Sequence, residues 1–320
     1  MNNKIFKIIG GLSAIIIILG VSVFAIIKFR QNKKVANIIS SSFVGYDFAR
    51  AVTGDKARIS MLLKPGAEMH DFEPTPEDII NIKNADLFIY VGGESDEWVK
   101  GLLKDNEIPE EKTLRLMDSV ELKEEELSEG MEESEHEHDH DGDEVEYDEH
   151  IWTSPINAIK LVTIVKDKLS NIYPENKDAY TNNANIYISR LSDIDQNIRS
   201  VVANSNKKEL IFGDRFPFRY FVDEYGLNYY AAFPGCSEQT EASSQTIAFL
   251  IDKAKADNIK TILKIELTSD KLAKSIAEEA GAKVMVLNAV HNISSEDFDK
   301  GITYADIMEN NIEVLRETLK

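Results

Sequence analysis

The six histidines of this 320-residue chain are its best candidates for chemistry. His136, His138 and His140 alternate with acidic residues, whereas His70, His150 and His291 are far apart in the sequence. Neutral imidazole suits zinc, and carboxylate oxygen suits harder ions. A fold that brought such histidines together could bind one divalent cation. Their spacing alone leaves open a structural, hydrogen-bonded role for each.

The composition of the chain excludes some classes of protein. The formal net charge is -20, which argues against nucleic acid as a partner because phosphates require Lys and Arg. An acidic surface fits either the attraction of cations or simple solubility. The single cysteine, Cys236, excludes an intramolecular disulfide and a zinc finger.

Residues 1–35 differ from the rest of the chain. Lys4 and Lys7 precede an apolar run from Ile8 to Ile27, and a run of roughly 20 apolar residues can cross a bilayer as a helix. We expect an uncleaved signal anchor that tethers the protein to the extracellular face of the cell membrane. Cleavage after Ala25 is the alternative, and it would leave a periplasmic or secreted protein.

Short apolar runs alternate with helical patterns from residue 36 onward, which predicts an α/β fold. The first lobe is predicted at 36–175, interrupted by 121–149. More than half of that stretch is Asp or Glu, and such a run repels itself, so we expect a mobile loop. Apolar residues at helical spacing predict a long linking helix over 176–206. The alternation resumes in a second lobe, 207–320.

Four motifs resemble those of the zinc and manganese ABC-transporter solute-binding proteins. They are PGAEMHDFEPTPEDI around His70, DEHIWTSPINA around His150, FRYFVDEYGL and GITYADIMENNIEVL. They occur in the family's order over roughly residues 36–320. The resemblance implies two Rossmann-like α/β lobes joined by a single long rigid helix, with the metal in the cleft between the lobes.

The same resemblance implies the nitrogen ligands. His70 and His150 match ligand positions of the family directly. His291 lies at the same distance before the Thr-Tyr of the last helix as the final ligand of the family, which is often Asp. We therefore predict that these three histidines bind the ion.

The family's third ligand position is where this chain departs from the pattern. The position falls on or beside Arg215, and arginine stays charged and cannot coordinate a metal. Asp214, one residue earlier, is the predicted fourth ligand. Glu266 is the alternative, and water or another group also remains open.

The resemblance implies a binding protein that captures zinc outside the cell and delivers it to an ABC-type membrane permease. We expect a monomer that is not an enzyme, because the sequence has no H-E-x-x-H motif and the predicted site is closed. Three nitrogens and one carboxylate favour zinc over manganese. A manganese-binding homologue and an adhesin-like metal-binding surface protein are the alternatives.

The acidic stretch carries a second prediction. His136, His138 and His140 could collect zinc weakly near the cleft, since ordering a flexible chain around an ion costs entropy. The alternative is a solvated insertion with no role. In either case we expect the main site to survive deletion of this stretch.

Overall fold

The computed structural model describes residues 35–69, 72–131, 146–235 and 242–320. The chain divides into a short unit, Met1–Ala36, and a compact unit, Asn37–Lys320. The predicted signal anchor lies outside the described residues except for Val35. In the part of the chain that is described, no helix is both long and apolar enough to cross a membrane.

The first lobe is built around a parallel sheet. Its elements are β1 (Ala36–Ser40), α1 (Phe43–Thr53), β2 (Ala57–Met61), α2 (Pro76–Asn84), β3 (Leu87–Tyr90), α3 (Glu97–Asp105), β4 (Thr113–Arg115) and α4 (Pro155–Ile172). The strand order is β2-β1-β3-β4, and β3 pairs in parallel with both β1 and β4. The apolar run of β3 is almost fully buried, as expected for a strand covered on both faces.

Two helices of this lobe begin with a side-chain cap. Thr75 caps α2: its side chain accepts a hydrogen bond from the N–H of Asp78, whose carboxylate accepts the N–H of Thr75. Ser154 caps α4 by accepting the N–H of Asn157. Such caps satisfy backbone donors that have no partner within the helix. The cap at Ser154 fixes the chain direction four residues after His150.

The predicted linking segment contains one continuous helix, α5 (Lys177–Ala203), with 27 residues. At 1.5 Å per residue it is about 40 Å long. Asn183 donates a hydrogen bond to the carbonyl of Val52 at the end of α1 (3.1 Å), which ties the helix to the first lobe.

The second lobe repeats the parallel arrangement. Its elements are β5 (Glu209–Phe216), α6 (Arg219–Tyr225), β6 (Asn228–Pro234), α7 (Ser244–Ala256), β7 (Thr261–Lys264), α8 (Lys271–Ala280), β8 (Lys283–Val286), α9 (Ser295–Asp299) and α10 (Tyr304–Thr318). The strand order is β6-β5-β7-β8, and all three pairings are parallel. Two sheets with surrounding helices confirm the predicted α/β fold with two lobes.

A buried carboxylate joins three helices from different parts of the chain. Asp47 of α1 accepts hydrogen bonds from the hydroxyl of Tyr187 in α5 (2.6 Å) and the N–H of Tyr304 in α10 (3.0 Å). Burial raises the pKa of Asp47, and Arg50 acts in the opposite direction. Arg50 also donates to the carbonyl of Ile302 (3.0 Å). The C-terminal helix is thereby fixed against the first lobe.

Candidate metal centre

His150 lies in the loop that precedes α4, and its side chain is completely buried. Its Nδ1 is 3.0 Å from Oδ1 of Asp148, and the same oxygen accepts the backbone N–H of His150 (2.7 Å). Burial lowers the pKa of His150, Asp148 acts in the opposite direction, and the charges of His291 and Arg215 lower it further. The ring is therefore held in one orientation and favoured in its neutral, metal-binding form.

His291 follows β8 in the second lobe and is 7% exposed. Its Nδ1 lies 3.4 Å from Oε1 of Glu266, which also accepts the backbone N–H of His291 (2.8 Å). The other oxygen of Glu266 accepts the N–H of Ala289 (2.7 Å). Burial would raise the pKa of Glu266, but His291 and the N–H of Ala289 outweigh that effect and lower it. Glu266 is thus an ionised carboxylate that holds the loop carrying His291 in place.

The structure brings these two histidines together from different lobes. Their ring centroids are 4.6 Å apart, and the ring planes meet at 77°. Trp152 contacts both rings edge to face, at 5.4 Å from His150 and 6.1 Å from His291. Its indole N–H donates to the carbonyl of Ala289 (2.7 Å). One side chain therefore fixes the first-lobe loop against the second-lobe loop.

Both histidines have a carboxylate beside Nδ1. Asp148 does this for His150, and Glu266 does it for His291. A carboxylate at Nδ1 favours the tautomer that keeps its proton there and carries the lone pair on Nε2. Metal-binding histidines in proteins are commonly oriented in this way. The arrangement can present two Nε2 atoms to one ion.

His70 lies outside the described residues, as do His136, His138 and His140, but the chain just before His70 is described. Asn292 donates from its side-chain amide to the carbonyls of Lys64 and Ala67, both at 2.8 Å. The N–H of Gly66 donates to the carbonyl of Ile293 (2.8 Å). The segment that leads into His70 is therefore bonded to the residues that follow His291.

Asp214, the predicted fourth ligand, lies near the end of β5 and is 8% exposed. Its Oδ2 accepts hydrogen bonds from the N–H of Ile265 (3.1 Å) and the hydroxyl of Thr268, and its Oδ1 accepts the N–H of Arg215 (2.9 Å). These donors fix the carboxylate against the loop that follows β7. Among the described residues, no group of three or more His, Cys, Asp or Glu side chains is arranged to hold a metal.

The sequence allows an ion pair between Arg215 and an acid of the cleft but does not show which acid. Arg215 Nη2 lies 3.0 Å from Oε2 of Glu68, which belongs to the first lobe. Burial would raise the pKa of Glu68, but Arg215 outweighs it and lowers the pKa. A cavity of about 80 Å³ lies beside this ion pair, and residues lining it include Glu68, Met69, Arg215, Glu266, His291 and Asn292. The only sequence signal for Glu68 was an acid placed two residues before a predicted ligand.

The two ends of the acidic stretch also differ from expectation. Residues 124 and 147 form an antiparallel bridge, and the N–H of Asp148 donates to the carbonyl of Lys123 (2.9 Å). The hydroxyl of Tyr220 in α6 accepts the N–H of Lys123 (3.1 Å) and donates to the carbonyl of Asp148 (2.8 Å). The sequence predicted a mobile loop over the whole of 121–149, but its two ends make defined contacts with each other and with the second lobe. Residues 132–145 lie outside the described residues.

The fold and the paired histidines define a two-lobed binding protein with a candidate cation site between its lobes. Comparison with known proteins agrees: residues 38–318 match the family described as zinc-uptake complex component A, periplasmic. The chain belongs to this family. The match confirms the resemblance predicted from the four motifs and, with it, the predicted class: a metal-binding component of a zinc-uptake system.

Individual relatives give the same result. The high-affinity zinc uptake system protein ZnuA of Bacillus subtilis is 35% identical over 88% of this chain and 87% of its own length. The zinc-binding lipoprotein AdcA of Streptococcus pneumoniae is 32% identical over 88% of this chain, which spans 55% of that longer protein. The Zn(II)-bound ZnuA-like domain of Streptococcus pneumoniae AdcA matches 89% of this chain and 99% of its own, with 30% identity and a TM-score of 0.73.

Proposed function

We propose that this protein binds one Zn²⁺ ion between its two lobes, outside the cytoplasm, and delivers it to an ABC-type permease. The observation that carries the proposal is the pair His150 and His291, which come from different lobes and each have a carboxylate beside Nδ1. Capture and delivery need no turnover, and we propose that the protein is not an enzyme.

We propose His70, His150 and His291 as the nitrogen ligands. The bonds between Asn292 and the segment 64–67 support the inclusion of His70, because they hold its loop beside the loop of His291. Three imidazoles favour zinc over manganese, which prefers more oxygen ligands. Manganese remains the alternative ion.

Asp214 remains the proposed oxygen ligand. Among the described residues its Oδ1 accepts one hydrogen bond, from the N–H of Arg215, and a carboxylate oxygen has a second lone pair for an ion. Glu266, the alternative, has one oxygen engaged by His291 and the other by the N–H of Ala289. These contacts support Glu266 as the group that orients His291 and not as a ligand.

The oligomeric state of the protein, its location and the role of its histidine-rich stretch are also proposals. We propose a monomer tethered at the extracellular face of the membrane by residues 1–35, or a periplasmic or secreted form if that segment is cleaved. We also propose that His136, His138 and His140 collect zinc weakly beside the cleft. Histidines that alternate with acids in a long acidic stretch support this role.

Growth under zinc starvation tests the transport proposal. Cells that lack this protein are supplied with the wild-type chain, with His150→Ala or with His291→Ala, and zinc is limited by a chelator. We expect the wild type to restore growth and both variants to fail, while added zinc rescues all of them. Equal growth with the variants and the wild type would overturn the proposal, and rescue by manganese instead of zinc would reassign the cargo.

A further inference from the structure

Arg215 is a fixed positive charge inside the candidate cation site. It lies in β5 of the second lobe, lines the same cavity as His291, and its side chain is only 16% exposed. A guanidinium keeps its proton at any physiological pH and cannot ligate a metal. Any divalent ion bound by the histidines is therefore close to a cation that the solvent screens poorly.

Glu68 partly offsets this charge. Its Oε2 is 3.0 Å from Arg215 Nη2, and its Oε1 accepts the N–H of Met69 (3.1 Å). The pair spans the cleft, because Glu68 follows β2 of the first lobe. Glu68 is 39% exposed at its side chain, so water screens its negative charge more than it screens the guanidinium.

We propose that Arg215 limits the affinity of the site for divalent cations and that Glu68 moderates this effect. The inference rests on the proposed function and deepens it, since a carrier must release its cargo as well as capture it. The repulsion acts on the bound state, so it speeds dissociation of the ion more than it slows association. Arg215 thus determines affinity by its charge, without contacting the ion.

Three variants separate charge from shape. Arg215→Leu removes the charge and supplies no ligand, Arg215→Lys keeps the charge, and Glu68→Gln removes the offsetting carboxylate. The full chain in mild detergent is titrated with Zn²⁺ in competition with a chelator of known affinity. We expect Arg215→Leu to bind Zn²⁺ at least about tenfold more tightly than the wild type, and Glu68→Gln to bind it several-fold more weakly. Arg215→Lys should stay close to the wild type.

The visible spectrum of bound Co²⁺ reports on the ligands of the ion. It therefore distinguishes an effect of charge from a change in the structure of the site. The same spectrum in the wild type and in Arg215→Leu, together with slower release to the chelator, would support an effect of charge on an unchanged ligand set. Weaker binding in Arg215→Leu, or equal affinity in all three variants, would overturn the inference. If the wild type itself binds no Zn²⁺ tightly, the proposed function fails first, and the two failures are thereby distinguished.

Discussion

His150 and His291 are 141 positions apart and belong to different lobes, yet their imidazole rings meet edge to face with centroids 4.6 Å apart. Trp152 contacts both rings. A bound ion would therefore connect the two lobes directly, and every group that orients either ring should affect affinity.

Glu266→Gln tests the clamp on His291. The variant keeps the size of the side chain but replaces one acceptor oxygen by a donor, so His291 loses part of its orientation. We expect zinc affinity to fall by about tenfold to a hundredfold, the usual effect of removing such a partner. Competition titration measures the change, with Glu279→Gln on the exposed face of α8 as the control. Unchanged affinity would show that Glu266 does not orient His291.

Glu149→Gln tests a buried acid next to the site. Burial raises the pKa of Glu149 from its ordinary 4.5 to about 8, despite hydrogen bonds from Ser95. An acid with a raised pKa binds more protons in the folded state, so stability falls as pH rises between the two values. The metal-free wild type should lose roughly 3 kcal/mol between pH 5.5 and 8 from this group alone.

Urea unfolding at the two pH values measures that loss. The glutamine variant cannot ionise, so its stability relative to the wild type should rise with pH. Glu146→Gln, at an exposed position, should have the same free energy of unfolding as the wild type at both pH values. If the difference in free energy of unfolding between the wild type and Glu149→Gln were the same at both pH values, Glu149 would titrate as an ordinary acid.

Asp47→Asn tests the junction of α1, α5 and α10. The amide keeps the shape but leaves Arg50 without its carboxylate and weakens the bonds from Tyr187 and Tyr304. We expect a loss of about 2–3 kcal/mol in the free energy of unfolding, as for other broken buried networks. Chemical unfolding checks this against Asp55→Asn, which is exposed. Equal stability of the two variants would contradict a role for Asp47 in joining the helices.

Deletion of residues 132–145 tests the independence of the main site from the histidine-rich stretch. The bridge between residues 124 and 147 and the bond from Asp148 to Lys123 close the base of that stretch. A short Gly-Ser linker in its place should leave the affinity of the tight site within about threefold, because separate sites contribute independently. The number of weakly bound ions should fall. Loss of the tight site would place a primary ligand in the deleted segment.

The fold was largely predictable because its signals are local. Apolar runs and helical spacing, which alternate along the chain, predicted strands and helices in both lobes. The caps at Thr75 and Ser154 are equally local, because each acts over three residues. The linking helix followed from one uninterrupted pattern. Such signals need no knowledge of distant parts of the chain.

The site was predictable only in part because its supporting contacts are distant. Asp148 is only two positions before His150, so a contact between them could be expected from the sequence. Nothing in the sequence indicates that Glu266 contacts His291, 25 positions away, or that Glu68 contacts Arg215, 147 positions away. The sequence likewise does not show that Lys123 and Asp148, near the ends of the predicted mobile loop, bond to Tyr220 of the second lobe. Asp214 as a ligand stays a prediction.

Calorimetric titration with Zn²⁺ and Mn²⁺, on the wild-type chain and on His291→Ala, tests whether the ion is bound at the junction of the two lobes. We expect one tight zinc site in the wild type, much weaker binding of manganese, and zinc affinity reduced at least about tenfold in the variant. Tight zinc binding that survives His291→Ala would move the site away from the junction of the two lobes, and the absence of tight binding to either ion would contradict the proposed function itself.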